Sequence, residues 1–167
     1  MSKQVRLPMC VWSIVRIRAK LKRVTRRLKT SDRPPCQPGD TLVLTCTWGV
    51  DWVMDKMPPR AMIDPAWFWS LWSDKRPATQ GRTRQARFVP KVLYRRFPHT
   101  PCLSVRSERL HDITEDDAQL EGCSNIQGDT ARQEYQRVWD TLQPGHPWAT
   151  NPEVWRIEFA PVKGVSC

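Results

Sequence analysis

The chain has 167 residues, 40% of them hydrophobic, with nine Trp and a formal net charge of +10. That length suits one domain with a sizeable core, and no apolar run approaches the roughly 18 residues that a membrane-spanning helix needs. The basic N-terminus lacks a continuous apolar region and a small-residue cleavage site, so no signal peptide is expected and a cytoplasmic setting is the default.

Residues 1–9 read as an irregular lead-in. From Val11 to Leu28 the apolar residues Ile14, Ile17, Leu21, Val24 and Leu28 recur at steps of three and four. This predicts a helix with a core face, a simpler reading than a helix lying on a membrane surface. Arg18, Lys22, Thr25 and Arg26 would then point outward, with Lys22 and Thr25 on one face. Residues 1–33 carry 11 of the bases and one acid, Asp32, whereas the rest holds 16 of each sign. So uneven a distribution is the footprint of a polyanion-binding face.

TSDRPPCQPGD, 30–40, is a breaker-rich loop ending in a Pro38-Gly39-Asp40 turn. TLVLTCTW, 41–48, predicts a strand with Leu42, Leu44, Cys46 and Trp48 on its inner face. The Trp-rich WFWSLW, 67–72, either stacks bases or plugs the end of a small barrel, the plug being the simpler expectation. DKRPATQGRTRQAR, 74–87, reads as a flexible basic loop. From Lys75 to Arg106 there are nine bases and no acid. Residues 87–107 read as strand-rich, interrupted by Pro90, Pro98 and Pro101.

In RLHDITEDDAQLEGC, 109–123, Thr114 is the expected N-cap, Glu115, Asp116 and Asp117 suit the first helical turn, and Gly122 is the stop. DTARQEYQRVWDTL, 129–142, predicts a helix with Ala131, Tyr135, Val138, Trp139 and Leu142 on one face, opened by a Thr130/Gln133 capping box. EVWRIEFAPV, 153–162, alternates as a strand. The order lacks regular β-α alternation. It predicts an α+β fold: a small, curled, mostly antiparallel sheet with helices plugging its ends.

The six Cys are scattered without a C-x-x-C pair, and His99, His111 and His146 share no ligand spacing. Reduced packing thiols are expected, with neither a metal nor another cofactor.

Several motifs, in order, resemble the ASCH-domain family of the PUA-like superfamily. PM at 8–9, KRVTRR at 22–27 and QPGDTLVLTCTW at 37–48 are similar to the opening of the version common in bacteriophage and prophage genomes. ERLHDITEDDAQLEG (108–122), YQRVWDTL (135–142) and PWATNPEVWRIEF (147–159) match its later motifs. About 90 residues at the two ends carry the likeness; 49–89 contribute nothing and read as an insertion within a single domain spanning 1–167. The resemblance implies a PUA-like curled β-barrel with flanking helices and a cleft for RNA or a modified nucleotide. One branch of the family deacetylates the exocyclic amine of acetylated cytidine with a Lys, a Thr three residues later and a Glu near the end of the short helix. Those positions fall on Lys22, Thr25 and Glu121. The family Gly two residues before the Lys is Lys20 here, and the acid of its R-E-T-W motif is Cys46.

The chemistry is coherent on its own. A Thr hydroxyl becomes a nucleophile when a base takes its proton, and a Lys serves if burial or neighbouring cations (Lys20, Arg23, Arg26, Arg27) lower its pKa. A Glu can then protonate the leaving amine. Lys22 and Thr25 can equally bind phosphate, with Glu121 in an ion pair. The main expectation is an RNA- or nucleotide-binding domain whose basic cleft uses Lys22, Arg23, Arg26, Arg27, Arg95 and Arg96 on phosphate and Trp48 or one of the 67–72 aromatics on a base. Deacylation of acetylated cytidine by Lys22, Thr25 and Glu121 is the second. A protein-binding module using the Trp-rich insertion is the third. A nucleophilic Cys46 is disfavoured by its place on an inner strand face.

Overall fold

A computed structural model describes residues 2–50, 52, 55–58, 61, 68–72, 81–124 and 128–162. In chain order its elements are β1 (Gln4–Pro8), α1 (Val11–Arg18), β2 (Val24–Leu28), β3 (Thr41–Thr45), β4 (Trp48–Val50), β5 (Phe68–Ser70), β6 (His99–Arg109), α2 (Glu115–Leu120), α3 (Ala131–Leu142) and β7 (Glu153–Phe159). Short 3-10 turns at Ala86–Phe88, Lys91–Arg96, Leu110–Asp112 and Trp148–Thr150 link them. Among the described residues, no helix is long and apolar enough to cross a membrane.

The expected α+β class holds. A five-stranded sheet has the order β1-β3-β6-β7-β2, with β1 and β3 parallel and the other pairs antiparallel. β6 joins its two parts. His99–Pro101 pair with β3, Cys102–Arg109 pair with β7, and a register shift between Cys102 and Ser104 marks the change of partner. Such an irregularity bends a strand. The prolines fit because Pro98 precedes the strand and Pro101 stands beside the handover. Among the described residues no ladder joins β1 to β2, so the expected barrel closure is not present as strand pairing.

The helix expected over Val11–Leu28 is two elements. α1 ends at Arg18, and the chain returns as β2, paired with β7 so that Arg26 faces Arg156. Helix ends leave carbonyls to satisfy, and a left-handed residue lets the following N–H groups turn back to them. Lys20, at φ 61°, takes that conformation. Its N–H donates to Ile17 O (2.9 Å) and that of Leu21 to Arg16 O (2.9 Å). Leu21 is therefore exposed, while Lys22, Thr25 and Arg26 are buried rather than outward-facing.

The strand expected over 41–48 is also divided. β3 is an interior strand buried on both faces, and Trp48 opens β4, which pairs with β5. Trp48 lies in the core, stacked on Phe68 at 6.0 Å. Of the 67–72 aromatics, Trp69 is buried and Trp72 Nε1 donates to Leu44 O at 2.7 Å, so they pack on the core; Trp67 lies outside the described residues. Of the 74–87 segment expected to be a flexible loop, 74–80 lie outside the described residues. Arg84 is buried and exchanges two backbone hydrogen bonds with Trp48 (2.7 and 3.0 Å).

The two later helices begin where their caps predict. Thr114 Oγ1 accepts from Asp117 N at 3.1 Å, and Thr130 and Gln133 cap α3 reciprocally. Ala131, Tyr135 and Trp139 pack with Leu110, Ile113, Ala118 and Val154, whereas Leu142 stays exposed. A second cluster, around Leu42, Leu44, Trp48, Leu93 and Phe97, fills the other part of the sheet.

The described cysteines Cys10, Cys36, Cys46, Cys102 and Cys123 are free thiols. Burial pushes the Cys46 thiol up to about 11, which suits a packing residue and not a nucleophile.

Candidate functional site

Two helix ends meet to form the site. α2 closes as α1 does: Gly122, at φ 99°, donates to Gln119 O (2.8 Å) and Cys123 to Ala118 O (3.1 Å). Glu121 is thereby the last residue of one helical turn, and Lys22 lies four residues past the end of the other helix. The ends are in van der Waals contact, since a Cβ on Gly122 would stand 2.7 Å from Arg16 Cβ and 3.3 Å from Lys22 Cβ. The Arg23 N–H donates to Leu120 O at 2.7 Å and completes the join.

Lys22, Thr25 and Glu121 line one pocket of about 190 Å³, with Trp12, Arg27 and Tyr135 on its wall. All three are buried, at 3%, 4% and 2% exposure. Lys22 Nζ donates to the Glu121 carboxylate and, at 3.0 Å, to the Glu121 main-chain O. A cation at a helix C-terminus is favoured by the dipole there. Among the described residues the Thr25 hydroxyl makes no hydrogen bond, so it faces the pocket uncommitted.

Burial lowers the pKa of the Lys22 amine; the charge and hydrogen bond of Glu121 oppose this, and Arg27 adds to it. The net position is below an ordinary lysine. Lys20, Arg23 and Arg26, expected to contribute, do not: Lys20 and Arg23 are exposed, and Arg26 carries its own counter-charges.

Arg26 is surrounded by acids. Its Nε donates to Glu108 Oε1 (2.7 Å), Nη2 to Asp117 Oδ2 (2.8 Å) and Nη1 to Glu121 Oε1 (3.2 Å). It shares Asp117 with Arg156, whose Nη2 donates to Oδ1 at 2.8 Å, and with Arg106, whose Nη2 lies 3.6 Å from Oδ2. Arg26, Arg156 and Arg106 are register partners on adjacent strands. Three arginines side by side repel unless acids intervene, and Asp117 from α2 intervenes. Burial raises the Asp117 carboxyl, but the hydrogen bond from Arg156 and the charge of Arg26 outweigh it, and the net shift is downward. This buried network clamps α2 to the sheet and sets where Glu121 lies.

Part of the N-terminal charge excess is therefore met by acids of the fold itself. Arg16 pairs with Glu134 (3.2 Å), Lys22 with Glu121, Arg26 with three acids and Lys29 with Glu153 (3.1 Å). Bases from the first fifth of the chain meet acids from its second half.

The other expected phosphate and base contacts are dispersed. Arg27 lines the pocket and donates to the Pro8 carbonyl, Arg23 is exposed outside it, and Arg95 and Arg96 are exposed on the Lys91–Arg96 turn. Trp48 is closed in the core and presents no face to a ligand. Sequence reading did not single out Trp12 or Tyr135 as site residues; each looks like an ordinary core aromatic until the helices are placed. Among the described residues no three His, Cys, Asp or Glu side chains gather as a metal site needs.

No family model matches the chain, and no curated protein does. Among solved structures, a crystal structure of an ASCH domain from Lactobacillus crispatus JV V101 aligns with 96% of this chain and 79% of its own, at a TM-score of 0.44 and 13% sequence identity.

Proposed function

We propose that the pocket binds one base-sized group of a nucleotide or RNA, as the PUA-like ASCH domains that its motifs resemble are expected to do. The observation that carries this is the meeting of Lys22, Thr25 and Glu121 in one buried, aromatic-walled pocket of about 190 Å³. That volume is below the roughly 300–1,000 Å³ of sites for drug-sized ligands. It suits a single planar ring, not a length of strand. Trp12 and Tyr135 supply apolar wall, and the uncommitted Thr25 hydroxyl and the Arg27 cation supply polar recognition.

A second reading, deacylation of an acylated cytidine, is favoured by the Lys22–Glu121 hydrogen bond. Moving one proton along it turns an ion pair into a neutral amine and a neutral acid, the base and acid that amide hydrolysis needs. Lys22 takes the Thr25 proton, Thr25 Oγ attacks the acyl carbon, and Glu121 protonates the departing exocyclic nitrogen as its bond to carbon breaks. Water then cleaves the Thr25 ester, returning the hydroxyl proton and releasing the acid.

The test is a panel of free and N-acylated nucleosides. Binding is followed by NMR shifts at Thr25 and Lys22, and deacylation by the change in base absorbance. Site-localised shifts with no turnover support binding alone, and shifts with turnover support both readings. No shifts and no turnover across the panel overturn the proposal.

A further inference from the structure

The second basic block has a different fate from the first. Residues 82–96 hold six bases (Arg82, Arg84, Arg87, Lys91, Arg95, Arg96) and no acid. None of them lines the pocket. Val89, Leu93, Tyr94 and Phe97 face inward and are buried, which anchors the segment on the core. Arg82, Arg87, Phe88 and Lys91 face solvent.

Phe88 is 53% exposed, and the Arg87 guanidinium lies 4.9 Å from its ring centroid. Beside it a cavity of about 400 Å³ is lined by Arg82, Thr83, Arg84, Gln85 and Phe88. Among the described residues Asp55 is the carboxylate near this cavity, and it is engaged: it accepts the Arg82 main-chain N–H at 2.9 Å and lies 4.0 Å from Arg84 Nη2. Among the described residues the side chains of Arg82, Arg87 and Lys91 form no ion pair. An anchored strip with an exposed ring among unneutralised cations is how proteins hold single strands, by stacking bases and tracking phosphates. An acidic protein surface would answer the charges but leave the ring without a partner.

We propose that residues 82–96 form a second binding surface, separate from the pocket, for single-stranded nucleic acid. Phe88 stacks a base, and Arg82, Arg87 and Lys91 meet phosphates. This does not depend on what the pocket binds.

The test is fluorescence anisotropy of a labelled oligouridine of about twelve nucleotides, titrated with the full chain between roughly 50 and 200 mM salt. Three phosphate contacts give a log–log salt slope of about −2. Lys91→Glu makes that slope shallower by about 0.7 or more. Phe88→Ala weakens binding about tenfold at unchanged slope. Phe88 is half-exposed, so its loss spares the fold, which circular dichroism verifies. Two results overturn the proposal: no binding by the wild-type chain, or Phe88→Ala binding within twofold of wild type. Heparin binding as tightly as the oligonucleotide, indifferent to Phe88, also overturns it, because charge alone is then at work.

Discussion

Lys22 donates from one amine to both the carboxylate and the main-chain carbonyl of Glu121, a residue 99 positions away. Glu121→Gln keeps a hydrogen-bonding partner and removes the counter-charge. Burial then acts on Lys22 with less opposition, so its pKa falls further, measured by side-chain NMR. The loss of the counter-charge shared by Lys22 and Arg26 costs about 3 kcal/mol in denaturant unfolding, with Arg26 still held by Glu108 and Asp117. In the wild type the folded-state Lys22 pKa lies below the unfolded one. The unfolded chain holds the proton longer, so this residue makes stability rise with pH from the lowered value to about 10.4. A Lys22 amine that titrates like free lysine in the wild type contradicts the argument.

Thr25 lines the pocket without a hydrogen bond among the described residues, so its hydroxyl is dispensable for folding. Thr25→Val fills the same space and changes stability by less than about 1 kcal/mol. If deacylation is the activity, turnover drops by several orders of magnitude, as loss of a nucleophile does, far beyond the roughly 0.5–1.5 kcal/mol of nucleoside affinity lost with one hydrogen bond. Undiminished turnover in Thr25→Val removes Thr25 as nucleophile.

Asp117 holds α2 by bonding Arg26 and Arg156 at once. Asp117→Asn leaves two buried cations short of charge and costs about 3–5 kcal/mol. The pKa of Asp117 is lowered by folding, so its contribution is full above the unfolded value of about 3.9 and is lost as pH falls through the folded one. The stability gap between wild type and Asp117→Asn is therefore widest near neutrality and closes in acid. A gap that persists in strong acid contradicts the electrostatic account.

The two helix ends give opposite responses to one kind of change. Lys20 is a side-chain-bearing residue at φ 61°, a conformation costing roughly 1–2 kcal/mol outside glycine. Lys20→Gly relieves that cost, less the entropy of a freer unfolded chain, and raises Tm by about 2–4 °C per kcal/mol gained. Gly122 is at φ 99° with Arg16 Cβ in the way of any added carbon. Gly122→Ala lowers Tm and separates Glu121 from Lys22, read as a change in Lys22 titration. A Lys20→Gly variant less stable than wild type contradicts the strain argument.

Local chemistry was legible in the residues themselves. The Thr114 and Thr130 caps, the Gly122 stop and the Gly39 turn follow from short-range rules and stand where those rules put them, and the strand expected over 153–162 forms over Glu153–Phe159, though with Val154 and Arg156 buried as well as Ile157 and Phe159. The span 11–28 misled because its apolar spacing fits a helix throughout. What ends α1 is a left-handed residue, and Lys20 does not advertise one as glycine would. The ion pairs of Arg16, Lys22, Arg26 and Lys29 were illegible for a related reason, since charge counted along a chain carries no record of where opposite charge lies in space.

Sequence by itself determined the class of fold, its capped helices and its last strand, because capping, turn chemistry and periodicity act over a few residues. Only the tertiary structure decided that Arg26 neutralises acids inside the fold, that Trp48 is core, and that Lys22, Thr25 and Glu121 share one pocket. Those outcomes depend on burial and on charge pairs between residues some 80–100 positions apart, and a sheet partner or a counter-ion at that separation leaves no local signature.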